Sequence, residues 1–257
     1  WTPASMICEV KTGGFYGYGG PRVTPERPTG VDSPLVCLPR TMDNSTGGQV
    51  WVTSDRWGPI SGQLLNLSYG RCTMQLVLRD PSGAVPQGAV VPLKGTYASG
   101  IMRGRFCPND GQLYVAGTRG WTSAAVRDGC LQRVRYLGGK IHLPVGIHYA
   151  RNAVEVTFSE PLDRESAESL ESYSLEEWNY KYSEKYGSEE YSPSRTGVVG
   201  HDQVEPKSAR LSTDGRTVRF EIPNLRPVNQ LRIRFSLRDT DGETVRGEVV
   251  GTLNSVP

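Results

Sequence analysis

Glycine and proline interrupt the first half of the chain so often that no amphipathic helix period survives over about 12 residues between Trp1 and Tyr136. What stands between the interruptions is short and β-like. Residues 49–53, 63–68, 73–78, 88–93, 112–116 and 130–136 are runs of five to seven, rich in β-branched and apolar types and bounded by Gly, Pro, Asn or Asp. Strands at this spacing build a sandwich, a barrel or propeller blades, so the chain is expected to be all-β.

Beyond Ala153 the pattern tightens into strict alternation. Val154, Val156 and Phe158 face one way and Glu155 and Thr157 the other, as in a half-buried antiparallel strand. Residues 163–172 are expected to form a short helix capped by Asp163. Residues 210–212 and 217–222, joined through Asp214-Gly215, read as a hairpin. Residues 231–237 and 244–251 read as a second pair, turned by 239–242. This is the pattern of a small β-sandwich. Residues 178–191 hold one Trp and four Tyr among carboxylates and read as a long insertion loop.

Residues 140–148 contain Pro144 and Gly146 and lack a period, which places a linker there and divides the chain into 1–146 and 147–257. Charge supports the division: the first part has 15 Lys and Arg against 8 Asp and Glu, the second 14 against 19. The basic residues of the first part are scattered, which argues against a nucleic-acid footprint. No apolar run approaches the roughly 20 residues of a membrane helix. The chain opens on Trp1, with no charged-then-apolar leader after it, so the native start is expected to be missing, either through processing or because this is a piece of a longer protein.

Five cysteines, all before residue 131, form no C-x-x-C pair, and their odd number excludes complete internal pairing. Burial as small strand residues, one or two disulfides, and metal ligation all remain open. Asp43-Asn44-Ser45 is oxygen-rich but lacks the spacing of a calcium loop, and reads as a turn. No G-x-S-x-G supports a Ser-His-Asp hydrolase, and Glu176-Glu177 and Glu189-Glu190 are adjacent pairs that do not face each other as glycosidase carboxylates must.

Four segments occur in an order that resembles secreted glucose/sorbosone dehydrogenase-type β-propellers of planctomycete-like bacteria. They are GGFYGYGG at 13–20, NSTGGQVWV at 44–52, SGQLLNLSYGRCTMQLVL at 61–78 and IMRGRFCPNDGQLYVAG at 101–117. VEVTFSEPLDRES at 154–166 with ARLSTDGRTVRFEIPNL at 209–225 resembles bacterial Ig-like modules. The resemblance implies that 1–146 is a partial β-propeller, its closing blades, and that 147–257 is an Ig-like sandwich. It implies a secreted, periplasmic or cell-surface location.

Soluble members of that family hold pyrroloquinoline quinone (PQQ) and calcium and use a His base from an earlier blade. His142, His148 and His201 all follow the last expected propeller strand and match no such His, so no catalytic residue is assigned and no cofactor is expected in this chain. PQQ and calcium would belong to a complete parent, with its missing N-terminal blades or a c-type cytochrome domain as partners. Arg103 falls at one quinone-contacting position of the family, whereas Ile101 stands where the family has a second Arg.

The residues themselves offer further candidates. Arg103 and Arg105 share a strand face and could hold an acidic group, or be ordinary solvent-facing arginines. Tyr16 and Tyr18, set among glycines, could stack on a sugar ring or pack a neighbouring blade. Trp178, Tyr180 and Tyr182 combine ring faces with nearby carboxylates, as sugar-binding surfaces do, or clamp the loop onto the protein. The expected function is that of a carboxy-terminal part of a secreted, carbohydrate-related dehydrogenase-like protein, not catalytic alone. The alternative is a non-catalytic extracellular unit binding carbohydrate or protein.

Overall fold

The computed structural model describes residues 4–17, 30–82 and 85–257, so Tyr18 lies outside the described residues. The chain is all-β, with 44% of residues in strands and 6% in helix, and its antiparallel sheets are all open. A ribbon of β1 (Ser5–Ile7) and β2 (Val36–Leu38) comes first. A meander of β3 (Thr46–Trp51), β4 (Leu64–Ser68), β5 (Thr73–Arg79) and β6 (Gly88–Pro92) follows, each strand paired with the next. A second meander contains β7 (Gly100–Phe106), β8 (Leu113–Thr118) and β9 (Gly129–Val134). The two meanders meet at β3 and β7. A Cβ on Gly47 would overlap the Ile101 carbonyl, so only glycine lets these backbones touch.

The remaining strands are β10 (Pro144–Ala150), β11 (Ala153–Phe158), β12 (Tyr173–Trp178), β13 (Asp202–Val204), β14 (Ser208–Leu211), β15 (Thr217–Glu221), β16 (Val228–Arg238) and β17 (Thr244–Leu253). Strands β10-β11-β15-β14 form a four-stranded sheet. It packs on β12 and β16 through edge-to-face pairs, Phe158 with Phe235 at 5.2 Å and Tyr173 with Phe220 at 4.8 Å. The expected short helix is α1 (Arg164–Glu168); Asp163 accepts the Ser166 N–H at 2.9 Å, the geometry of an N-cap.

The expected division at 146/147 does not coincide with a break in the structure. It falls inside β10, and the linker ends at Leu143: Pro144 occupies the first position of a strand, where a missing N–H is tolerated, and a bulge follows it. More consequentially, β17 pairs with β6, placing Val250 opposite Val90, so one eight-stranded sheet runs β13-β12-β16-β17-β6-β5-β4-β3 through both parts. The larger core likewise mixes Leu65, Leu76 and Val91 with Val154, Phe220 and Ile233.

The register aligns one row of side chains across the whole sheet: Trp51, Leu64, Val77, Val90, Val250, Arg232, Glu176 and Gln203. These point away from the larger core. The middle of the row is covered by the β1–β2 ribbon, whose Ile7, Val36 and Leu38 close a second core over Val77, Val90 and Val250. Gln230 donates to the Cys37 carbonyl at 2.7 Å, and the Cys37 N–H donates to Thr252 Oγ1 at 2.8 Å, which pins the ribbon in place. The two ends of the row stay outside the ribbon.

A buried polar hub holds the same face of β4 and β5. Asp43 accepts from Asn66 Nδ2 at 2.8 Å and Ser68 Oγ at 2.7 Å, and from its own turn at the Ser45 N–H at 2.9 Å, so the expected turn at 43–45 is an Asx turn. Asp43→Ala strips these donors of their acceptor inside the protein. It is expected to cost about 2–3 kcal/mol in urea denaturation, against near-neutrality for Asn44→Ala on the exposed side of the turn.

Candidate functional site: a groove beneath Trp51

At the β3 end of the row the ribbon stops short and leaves a groove. Strand alternation puts Gln49 and Trp51 on the face opposite Val50 and Val52, and β3 is the edge strand, so among the described residues no further strand flanks the indole. Trp51 is 60% exposed. It stands over a cavity of about 760 Å³ whose apolar floor includes Leu35, Leu64 and Val77. Gln49, Gln63, Glu9 and Arg79 supply the polar wall. Arg79 Nε donates to Glu9 Oε2 at 2.9 Å, and this hydrogen bond, more than the charge itself, holds the Glu9 carboxyl below its ordinary value. Gln63 Nε2 donates to the Val145 carbonyl at 3.2 Å, so its amide is held in a fixed orientation. The groove therefore offers one flat aromatic face, an anionic acceptor, a cationic donor and two amides.

Sequence reasoning did not single out Trp51. The signal was present: in 49–53 the apolar positions are Val50 and Val52, which puts Trp51 in phase with Gln49 on the polar face.

The expected aromatic surface is arranged otherwise. Trp178 is fully buried. One face stacks on His201 at 4.0 Å with planes 9° apart, and Arg232 lies 4.7 Å from its ring centre. Tyr180 is half-buried, its hydroxyl's ionisation pushed up by burial, and its N–H donates to Asn229 Oδ1 at 2.8 Å. Tyr182 is half-buried as well. The loop folds over its own aromatics and reaches Arg40, whose guanidinium abuts Gly187.

Around Trp178 lies a charged network. His201 Nδ1 is 2.9 Å from Glu176 Oε2 and its Nε2 is 2.7 Å from Glu190 Oε2, so two carboxyl groups clamp one ring. Both contacts are hydrogen bonds when the three groups together hold at least two protons, since ionised carboxylates only accept. Burial raises the Glu176 carboxyl, but hydrogen bonds from His201 and Arg232 outweigh it and hold the group below its ordinary value. These contacts fix the insertion loop to the sheet.

Asp202, at the foot of this loop, is driven down to about 2: burial raises it, but Ser192, Ser194 and Arg195 lower it further. Its stabilising contribution is complete above its ordinary value of 3.8 and is lost as pH falls towards about 2. Exchange of the Ser194 amide, which donates to Asp202 Oδ2 at 2.7 Å, is expected to accelerate across that window in the native chain. Asp202→Asn is expected to remove this loss of protection and leave only the intrinsic pH dependence of amide exchange.

Arg103 Nη1 donates to the carbonyls of Gly47 at 3.1 Å and Met102 at 2.7 Å, and Arg105 Nη1 to that of Gly104 at 2.7 Å. Both arginines are turned onto strand backbone, and Ile101 is fully buried. Tyr16 folds back on its own loop, its hydroxyl accepting from the Lys11 N–H at 2.9 Å and donating to the Glu9 carbonyl at 3.2 Å. It adjoins the Trp51 groove through Glu9.

Ser82, His148 and Asp80 come together, yet Ser82 Oγ at 3.0 Å and Asp80 Oδ1 at 3.2 Å meet the same ring nitrogen, Nδ1. A catalytic triad uses the two ring nitrogens separately. Here Asp80 also accepts from Gln87 and from the Tyr149 N–H, and the cluster ties a loop down. The five cysteines are free thiols, with Cys37 pushed up to about 12 and Cys8 to about 11 by burial. No group of His, Cys, Asp and Glu among the described residues has metal-holding geometry. No helix among them is long and apolar enough to cross a membrane.

Fold and groove thus define an all-β protein of open antiparallel sheets with an aromatic, polar-walled cleft. No family model, curated protein or solved structure matches the chain.

Proposed function

We propose that this chain is a non-catalytic binding unit that holds carbohydrate in the groove beneath Trp51. The observation that carries the proposal is the exposed indole standing over a 760 Å³ cavity with amide, carboxylate and guanidinium groups in its wall. A sugar ring has apolar C–H faces that suit an indole and a girdle of hydroxyls that suit fixed donors and acceptors. Glu9 and Arg79 accept and donate from one pair, and Gln49 and Gln63 each carry both functions.

Titration calorimetry against a panel of neutral oligosaccharides tests this. A ligand of the panel is expected to bind the native chain, and Trp51→Ala to weaken it by at least about tenfold while leaving stability within about 0.5 kcal/mol. Absence of binding across the panel, or equal binding by Trp51→Ala, ends this reading.

A second reading has an observation of its own. The meanders β3–β6 and β7–β9 are consecutive and lie side by side with their first strands in backbone contact, as adjacent propeller blades do. This favours the chain as the closing part of a secreted glucose/sorbosone dehydrogenase-like protein. PQQ, calcium and the catalytic His would then be held elsewhere in a longer parent, with a c-type cytochrome domain as partner. The two layers made by β10–β17 favour an Ig-like module beside those blades. A longer parent protein that oxidises aldoses only with PQQ and calcium would support this reading, and one inert under those conditions would remove it.

A further inference from the structure

We infer that a second cavity, where the connector 135–143 crosses the sheet, is a binding site for a small amphipathic organic anion. This site goes beyond the proposed carbohydrate groove and shares no wall residue with it. The cavity measures about 370 Å³, and a neighbouring one of about 420 Å³ shares Leu93, Lys94, His142, Leu143 and Arg246 with it. Its floor is apolar: Trp57 and Ile60 of the 3-10 segment Asp55–Ile60, with Leu93, Leu143 and Val245.

The walls are braced. Trp57 Nε1 donates to the Gly111 carbonyl at 3.0 Å, and the Tyr136 ring lies against Gly58 while its hydroxyl donates to the Gly139 carbonyl.

The rim is cationic. Lys94, Arg135 and Arg246 stand on it, and among the described residues none of the three has an ion-pair partner; Arg246 Nε donates to Ser236 Oγ at 3.1 Å. The nearby acids are already engaged: Asp241 with Lys140, Asp239 with His142 at 3.0 Å, and Glu248 with Arg232 at 3.4 Å and Arg234 at 3.7 Å. His142 adds a direct pointer. Its Nε2 faces Asp239, whereas Nδ1 is buried without a hydrogen-bond partner among the described residues. A buried polar atom left unpaired is costly; with Nε2–H directed at Asp239, the doubly protonated ring presents Nδ1–H as a donor to a carboxylate or sulfonate oxygen.

An apolar floor beneath three uncompensated cations selects a ligand with a compact hydrocarbon body and a carboxylate or sulfonate head. A cavity of this size is at the small end for an organic ligand, which favours a medium-chain or aromatic carboxylate over a long-chain lipid.

Octanoate is the probe, with octylammonium as a control of equal apolar body and opposite charge. Calorimetry on the full chain is expected to give octanoate at least about tenfold tighter binding than octylammonium. The double variant Lys94→Glu/Arg135→Glu, at two exposed positions, is expected to lose at least about tenfold in octanoate affinity with its unfolding transition unchanged. A terminally brominated octanoate locates the site: it is expected to quench native fluorescence, and the quench to disappear in Trp57→Phe but persist in Trp51→Phe. Equal affinity for the two charge forms overturns the inference. So does an unaltered affinity in the charge-reversed variant, or a quench that survives Trp57→Phe.

Discussion

Replacing Tyr149 with alanine is expected to remove about 3–5 kcal/mol of stability, in a single transition shared by both halves of the chain. Tyr149 belongs to β10, in the second half, but its fully buried ring is inserted beneath the seam where β6 meets β17. Its hydroxyl donates to the Gly88 carbonyl on β6 at 3.2 Å, and a Cβ on Gly251 of β17 would overlap that hydroxyl. Its N–H donates at 3.2 Å to Asp80, which follows β5. One residue thus joins three elements around the pairing that makes the eight-stranded sheet continuous, β6 and β17 through its side chain and the end of β5 through its backbone. Removing it opens a cavity under the seam; Tyr149→Phe deletes only the hydroxyl bond and is expected to cost about 1 kcal/mol. Urea unfolding with hydrogen exchange of β4, β5, β11 and β15 amides measures both. If the β4 and β5 amides keep their protection while those of β11 and β15 lose theirs, the halves are separate units and the seam is not structural.

Local signals in the sequence were sufficient for the hairpins. Alternation in 231–237 and the Asp214-Gly215 turn lead to β16 and to β14–β15, with Gly215 at a positive φ of 73°. The seam had no local signal, because Val90 and Val250 pair over a large stretch of chain and each reads only as a strand residue. The charge asymmetry between the halves is real, yet it describes surfaces; the pairing of β6 with β17 depends on apolar row positions that composition does not separate. Trp178 illustrates the same limit at the site. Its neighbours Glu176 and Glu177 make the segment look polar and exposed, but β12 puts Glu176 and Trp178 on one face, and the insertion loop returns with His201 to cover them. Whether an aromatic is covered by a later segment is a tertiary fact. Trp51 escapes that fate because β3 is an edge strand, which the sequence does not reveal.

The network over Trp178 carries the second large effect: Arg232→Leu is expected to cost about 3–5 kcal/mol at neutral pH. Arg232 is buried in the same transverse row as Val250 and Glu176. Its Nη1 donates to Glu176 Oε1 at 2.8 Å, and its guanidinium faces the Trp178 ring at 4.7 Å. Without it, Glu176 keeps His201 at 2.9 Å and the half-exposed Arg234 at 3.2 Å, a poorer match for a carboxylate out of water. Replacing both members, Arg232→Leu with Glu176→Leu, removes the stranded charge and is expected to recover a large part of the loss. The pH dependence follows from the depressed Glu176 carboxyl. Its stabilising contribution is whole above the ordinary value of 4.5 and is lost as the pH falls below it through the lowered native value. The stability gap between native chain and Arg232→Leu should therefore be widest near neutrality and close on acidification. Urea midpoints at a series of pH values, read by circular dichroism, measure that gap. A gap that is flat across the acid range would show that Arg232 acts here as packing over the indole and not as the partner of Glu176.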